Sequence, residues 1–430
     1  MNRAISGIVI PFLVVAATLT AEVHTLSLKQ AVDLALKQNP DLLLARFDEV
    51  RAQQAIREAR DPFHPKMVVG SGLAYTSGFP LSIEGSAPSV IRADATQTLF
   101  NRQRSYDVAK VREQARGAAI TTQARRDDAA LRTALQYLEA DRLRRAAEVA
   151  QRQTESIEKM AEITRIRVAE GRELELENKR TAARLAQARH RARVLEGAAH
   201  VEEEGLALLL GFPSGDQVRP IAEDRPVLKV PDSEEEVARG ALESSKDLRV
   251  LQSKMQAAGL DIKANQAARL PKIDLVAQYG LFAKFNNYDD FFRRFQRHNG
   301  QIGVSFQLPI LPGSAASARA DQASSESARL RLEMASARSR VSLNARRAFQ
   351  DLKNAESFRE VARLDLEVAR EQLAVSMAQY EEGRSALKLV EDSRILENER
   401  WMAFLDAQFS VEKLRLTVLK DTGDLLAALN

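Results

Sequence analysis

Pro271-Lys-Ile-Asp-Leu-Val-Ala-Gln-Tyr-Gly-Leu-Phe282 alternates with period two. Ile273, Leu275, Ala277, Tyr279 and Leu281 fall on one side; Lys272, Asp274, Val276, Gln278 and Gly280 fall on the other. Side chains of a strand point alternately to opposite faces, so this is a strand with one apolar and one mostly polar or small face. A second run, residues 301–309, repeats the pattern with Ile302, Val304, Phe306 and Leu308 against Gln301, Gly303, Ser305 and Gln307. An apolar face opposite a small and polar one, sustained for about ten residues, fits a strand of a membrane barrel. It equally fits a half-buried hairpin of a soluble domain, and the strands alone do not separate the two.

Working outward, the same unit occurs earlier in the chain. A shift of 206 residues pairs Ala35-Leu36 with Ala241-Leu242, Asp41-Leu42 with Asp247-Leu248, and Pro65-Lys66 with Pro271-Lys272. The offset grows to 209 at Leu99 and Leu308, then to 212 at Gly171-Arg172 and Gly383-Arg384, and at Gly211 and Gly423. Two copies of one unit, differing by short loop insertions, suit a symmetric wall or ring better than a single catalytic pocket. Copy one spans residues 22–212 and copy two 233–430, with 213–232 between them. That connector holds several prolines and little periodicity, and reads as a linker that could cross the helices as a belt.

In copy one, Leu26 to Asn39 and Asp41 to Arg60 have helical periodicity, closed by Pro62 and Pro65. Residues 66–76 then alternate, with Met67, Val69, Ser71, Leu73 and Tyr75 on one side. Residues 91–100 follow more weakly, with Ala93, Ala95, Gln97 and Leu99 on the corresponding face. Long hairpins without proline complete each copy, at about 102–212 and about 313–428. Their outgoing helices, 103–169 and 314–381, would each reach on the order of 100 Å at about 1.5 Å per residue. Met334, Val341, Ala348, Ala355, Ala362 and Ala369 recur every seven residues, a coiled-coil seam of small side chains that lets helices approach closely. The returning helices carry seams at Leu185, Ala192, Ala199 and Leu206, and at Phe404, Val411, Val418 and Leu425. Each outgoing helix meets its return at a Gly-Arg, where glycine supplies the left-handed residue that ends a helix.

Composition agrees with long thin elements: aromatic residues are 5% and charged residues 28%. Residues 1–21 read as an export signal, with Arg3, the apolar core Ile5 to Leu19, and Ala21 before the cut. The chain has no cysteine, which excludes disulfides, thiol catalysis and lipidation of an N-terminal cysteine. A net charge of +4 with interspersed signs gives no reason to expect a nucleic-acid partner. His24, His64, His190, His200 and His298 lack metal-ligand spacing, and no phosphate loop or nucleophile elbow occurs. The triplets Glu202-Glu203-Glu204 and Glu234-Glu235-Glu236 read as solvated helix turns. We therefore expect neither an enzyme nor a bound cofactor or metal.

The ordered set of features resembles the outer-membrane factor family, the TolC-like outer membrane efflux proteins. It is carried by the opening Leu26-Ser-Leu-Lys-Gln-Ala-Val-Asp-Leu-Ala-Leu-Lys-Gln-Asn-Pro40, and by Pro65 and Pro271 before strands. Leu99-Phe100-Asn101, Leu308-Pro309-Ile310, Leu208-Leu-Leu-Gly211 and Tyr380 with Gly383 add to it. The resemblance implies a mainly α fold with a small membrane β-barrel portion. Each subunit would add four strands to a trimeric twelve-stranded barrel and its helices to a coiled-coil α-barrel. It also implies a passive homotrimeric duct, seated in outer-membrane lipid with its tunnel in the periplasm. Its partners would be a periplasmic adaptor (membrane fusion) protein and an inner-membrane transporter, in a tripartite efflux pump or type I secretion system. The tunnel's periplasmic entrance would be held shut by inward-coiled tip helices.

On that basis Gly171, Arg172, Tyr380, Gly383 and Arg384 are expected at the tips, in contact with the adaptor. Where family members carry acidic residues about one turn apart, this chain has Lys388 and Glu391, which together would make a mixed-charge constriction. Lys388 pointing outward is the competing reading. Glu175, with Glu173 and Glu177, either lines the entrance or is solvated surface. Phe282, Phe285, Tyr288, Phe291, Phe292 and Phe295, with Arg293, Arg294 and Arg297, read as an outer loop. That loop either meets the lipid interface or folds onto the barrel mouth. A periplasmic coiled-coil adaptor or scaffold is the alternative function; it explains the helices but leaves the strand pairs without a use.

Overall fold

A computed structural model of the chain describes residues 22–72, 89–221, 228–282, 296–310 and 314–429. The expected signal at 1–21, the expected end of the first strand at 73–76 and the aromatic and arginine residues of 283–295 lie outside these residues. Nine α-helices and six strands are described. In chain order they are β1 (Val23–Leu26), α1 (Leu28–Gln38), α2 (Pro40–Arg60), β2 (Lys66–Gly72), β3 (Ser89–Asn101), α3 (Arg102–Ala169) and α4 (Glu175–Leu209). Then follow β4 (Gln217–Pro220), α5 (Glu234–Ser244), α6 (Lys246–Ala267), β5 (Lys272–Phe282), β6 (His298–Gln307), α7 (Ser314–Glu381), α8 (Leu387–Thr422) and α9 (Leu425–Leu429).

The duplication is visible in the local chemistry. Asn39 accepts a hydrogen bond from the Leu42 amide at 3.1 Å to cap α2, and Ser245 accepts one from the Leu248 amide at 3.3 Å to cap α6. Two different side chains thus satisfy the same orphan N–H at equivalent positions. Both α3 and α7 have 68 residues, and two residues beyond the end of each stands a glycine with φ +71°.

The chain divides into two compact units, each drawing on both copies. One comprises Met1–Lys37, Arg132–Pro226 and Arg359–Ser410; the other comprises Gln38–Leu131, Val227–Phe358 and Val411–Asn430.

The second unit contains an antiparallel sheet in the order β2-β3-β5-β6. Its register sorts the side chains. Met67 lies opposite Ala95, Ala95 opposite Ala277, and Ala277 opposite Ile302. Leu275 lies opposite Val304, and Ile273 opposite Phe306. Paired residues share a face, so the apolar alternates of all four strands gather on one side. The other side carries Arg92, Asp94, Thr98, Asp274, Gln278 and Gln301. There Arg92 pairs with Asp94 at 2.7 Å, Thr98 donates to Asp274 at 2.8 Å, and Gln278 is hydrogen-bonded to Gln301. The apolar side is open: Met67, Ile302, Val304 and Phe306 are all more than half exposed. A register shift between Thr98 and Phe100 corrects the expected stripe, because Phe100 rather than Leu99 comes opposite Ile273.

The helices of this unit bury the predicted seam. Ala348 and Leu352 of α7 pack with Val237 and Ala241 of α5 and with Val411 and Val418 of α8. Leu330 and Ala337 of α7 pack with Leu248 and Leu251 of α6, with Met334 and Val341 alongside.

The first unit departs from the expected linker. Residues Gln217–Pro220 form β4, which pairs in parallel with β1. Leu26, expected to open a helix, instead ends β1, and Ser27 precedes α1. Val218 is buried with Ala31, Ala35, Tyr137, Leu206, Ala207 and Leu210. Tyr137 donates its hydroxyl proton to the Leu26 carbonyl at 3.1 Å and accepts from the Ile221 amide at 3.2 Å. Glu203 also corrects the expectation of a solvated triplet: it is wholly buried, with Arg144 Nε at 2.8 Å and Arg219 at 3.6 Å.

Candidate functional site at the helical tips

Both tip turns are built alike. The Gly171 amide donates to the Val168 carbonyl at 3.0 Å and the Arg172 amide to the Arg167 carbonyl at 2.9 Å. The Gly383 amide donates to Tyr380 at 2.9 Å and the Arg384 amide to Gln379 at 2.8 Å. This pair of bonds closes the carbonyl end of a helix around a left-handed residue. No heavy atom lies within 4 Å of where a Cβ would stand on Gly171 or Gly383, so backbone conformation is their only constraint. Arg172 and Arg384 pair with Glu170 at 3.3 Å and Glu382 at 3.1 Å, and both arginines are largely exposed. The two turns therefore present identical basic corners.

Contacts near these turns join the helices within one hairpin and between the two. Arg167 Nη2 donates to the Tyr380 hydroxyl at 3.4 Å, linking the two outgoing helices. Ser376 and Ser393 share a buried hydroxyl contact at 2.9 Å between α7 and α8. Arg184 of α4 reaches Glu391 at 2.9 Å and Asp392 at 3.4 Å on α8. Burial pushes the Glu391 carboxyl above its ordinary value of 4.5, and the neighbouring Arg184 only partly opposes that. Lys388 and Glu175 are exposed, and Glu175 accepts from the Asn178 amide at 3.2 Å.

Of the candidate constriction residues, only Glu391 is engaged with another element. Its partner Arg184 was not singled out from sequence, since nothing in a run of helical Arg and Glu marks the one pair that meets. The serine contact did leave a trace. At the offset of 212, Ser376 and Ser393 correspond to Thr164 and Thr181, which are also buried. No group of His, Asp or Glu able to hold a metal occurs among the described residues, and none of the described helices is long and apolar enough to cross a membrane.

The sequence model of the outer membrane efflux protein family matches residues 31–212 and 237–430. The chain belongs to that family. Its two matched stretches are the two copies. Members of the family are efflux channels of the outer membrane rather than enzymes. No curated protein sequence matches the chain. Among solved structures, it is similar to the outer membrane channel CmeC of Campylobacter jejuni, with TM-score 0.76 and 16% identity over 93% of this chain and 86% of that one. The MtrE outer membrane channel of Neisseria gonorrhoeae in its open state gives TM-score 0.72 and 18% identity, over 94% of this chain and 88% of that one. VceC of Vibrio cholerae gives 0.72 and 16%, over 91% and 96%. At such identities the likeness is one of fold: mostly helical, internally duplicated, with a few strands.

Proposed function

We propose that three copies of the chain close a twelve-stranded barrel in the outer membrane and a shared helical tunnel in the periplasm. This assembly is the passive exit duct of a tripartite efflux pump or a type I secretion system, with an adaptor protein docking at the tips and an inner-membrane transporter supplying energy. One observation carries the reading: among the described residues, the register of β2-β3-β5-β6 gives a sheet with one mainly apolar face, interrupted by Gln97, and two unpaired edges, β2 and β6. Lipid tolerates no open sheet edge, and four strands are too few to close alone. Further copies of the same sheet satisfy both demands. The helices offer matching support. Val194, Val201 and Leu208 on α4, and Val361, Val368 and Val375 on α7, are exposed at seven-residue spacing, as helices awaiting neighbours would be.

Gly171, Arg172, Gly383 and Arg384 are the proposed adaptor contacts, with Tyr380 holding the tips in register. Lys388, Glu391 and Glu175 are the proposed entrance ring. The assembly is tested by the mass of detergent-extracted protein together with planar-bilayer recording. A trimer with discrete conductance is expected, whereas a monomer without pore activity, or recovery only from soluble periplasm, overturns the duct in favour of a scaffold. With Lys388 in the ring, Lys388→Asp raises cation preference in the same recordings; unchanged selectivity places that side chain outside.

A further inference from the structure

The start of β1 is held by one carboxylate. Asp216 Oδ1 accepts from the Glu22 backbone nitrogen at 3.1 Å, while Oδ2 lies 3.5 Å from His24 Nε2. The Asp216 side chain is only 13% exposed, so its charge is sheltered. The His24 ring stacks on Phe212 at 4.3 Å, and the Gln217 amide donates to the Glu22 carbonyl at 2.9 Å. Asp216 thus sits at the first rung of the β1–β4 pair, at the opposite end from the Tyr137 hydroxyl that joins Leu26 to Ile221.

Glu22 is the residue that follows the proposed cut after Ala21. We infer that removal of the export signal creates a new binding partner for Asp216: the α-ammonium of Glu22, which forms an ion pair with it and fastens the mature N-terminus to β4. Hydrolysis adds water across the Ala21–Glu22 amide, leaving a carboxylate on the released peptide and, after proton uptake, an ammonium on Glu22. The nitrogen need not move. An amide that donated one neutral hydrogen bond becomes a cation facing the same sheltered carboxylate, and a charge-assisted bond is roughly twice as strong as a neutral one. Maturation would thereby tighten the pairing that anchors the segment between the two copies.

The inference rests on the export reading, and the experiment separates the two. Intact mass of the full-length protein, extracted from membranes in detergent, first identifies the N-terminal residue. The α-amine of the native protein is then acylated at about pH 7.5 and compared with the same chain unfolded in denaturant. An ion-paired ammonium holds its proton, so acylation of the native amine should be about fivefold slower than in the unfolded chain. Asp216→Asn should abolish that protection. Should that variant fail to fold, insertion of one glycine between Ala21 and Glu22 leaves Asp216 intact, displaces the amine by about 3.3 Å, and should abolish it as well. A start at another residue defeats the cleavage site and the inference together. A start at Glu22 with equal native and unfolded rates, or protection that survives the glycine insertion, defeats the inference alone.

Discussion

Arg144 grips both oxygens of Glu203, with Nη2 at 2.6 Å from each and Nε at 2.8 Å from Oε1. The carboxylate has no solvent exposure, and the arginine belongs to the outgoing helix while the glutamate belongs to its return. A buried ion pair contributes little net stability when intact, yet removing one partner strands a charge where water cannot reach it. Arg144→Ala is therefore expected to destabilise by about 3–5 kcal/mol, since Arg219 at 3.6 Å is too far to replace it fully. Glu203→Gln keeps an acceptor in place and should cost less. Thermal unfolding followed by circular dichroism at 222 nm ranks the two, and the reverse order would contradict the pairing.

Glu391 gives a pH signature of definite sign. Its folded-state value lies above the ordinary 4.5 because burial disfavours the charged form, so the folded protein holds this proton more tightly than the unfolded chain does. The associated stability is fully present below the unfolded value and is lost as pH rises through the folded one. Glu391→Gln cannot ionise and escapes that loss. Melting temperatures of variant and wild type should diverge in favour of the variant as pH is raised from about 4 towards neutrality. Parallel curves would mean that the Arg184 pair cancels the desolvation, and divergence in favour of wild type that it outweighs it.

Gly171 and Gly383 sit at φ +71° in open space, whereas Gly423, at φ +88°, would place a Cβ 2.8 Å from Ser244 Cβ. A bulky β-branched residue at either tip costs about 1–2 kcal/mol of local backbone strain and meets nothing. Gly171→Val and Gly383→Val should leave trimer formation intact while damaging adaptor cross-linking and drug resistance. Gly423→Ala meets a steric clash as well as strain, and is expected to lower the melting temperature more than Gly171→Ala does.

The sheet register distinguishes residues that are adjacent in the chain but on opposite faces. Val304→Arg places a charge on the apolar side, where membrane insertion would be penalised by about 2–4 kcal/mol at the bilayer midplane. Ser305→Arg places it opposite Asp274 on the polar side, where the charges attract, and should insert normally. The yield of heat-modifiable trimer in the outer membrane reads both, and equal yields would disprove the assignment of faces.

Much of this was legible in residue order because it depends on local periods. Alternation at 272–282 and 301–307 needs only the geometry of an extended chain, and the buried seam through Ala348, Val411 and Val418 needs only helical repeat. The tip glycines declare themselves because few other residues adopt a positive φ at low cost. What the order of residues could not supply were pairings made across the chain. Glu203 in an acidic triplet looks like its neighbours until Arg144, 59 positions away, is folded against it. Gln217–Pro220 is too short to announce a strand, and becomes one because Val23–Leu26, brought alongside from the other end of copy one, offers a ladder. The shift at Thr98–Phe100 likewise exists only once β3 lies against β5. Periodicity is written into consecutive residues; the choice of partner is settled by tertiary contact, where burial and hydrogen bonding discriminate among segments that look alike in isolation.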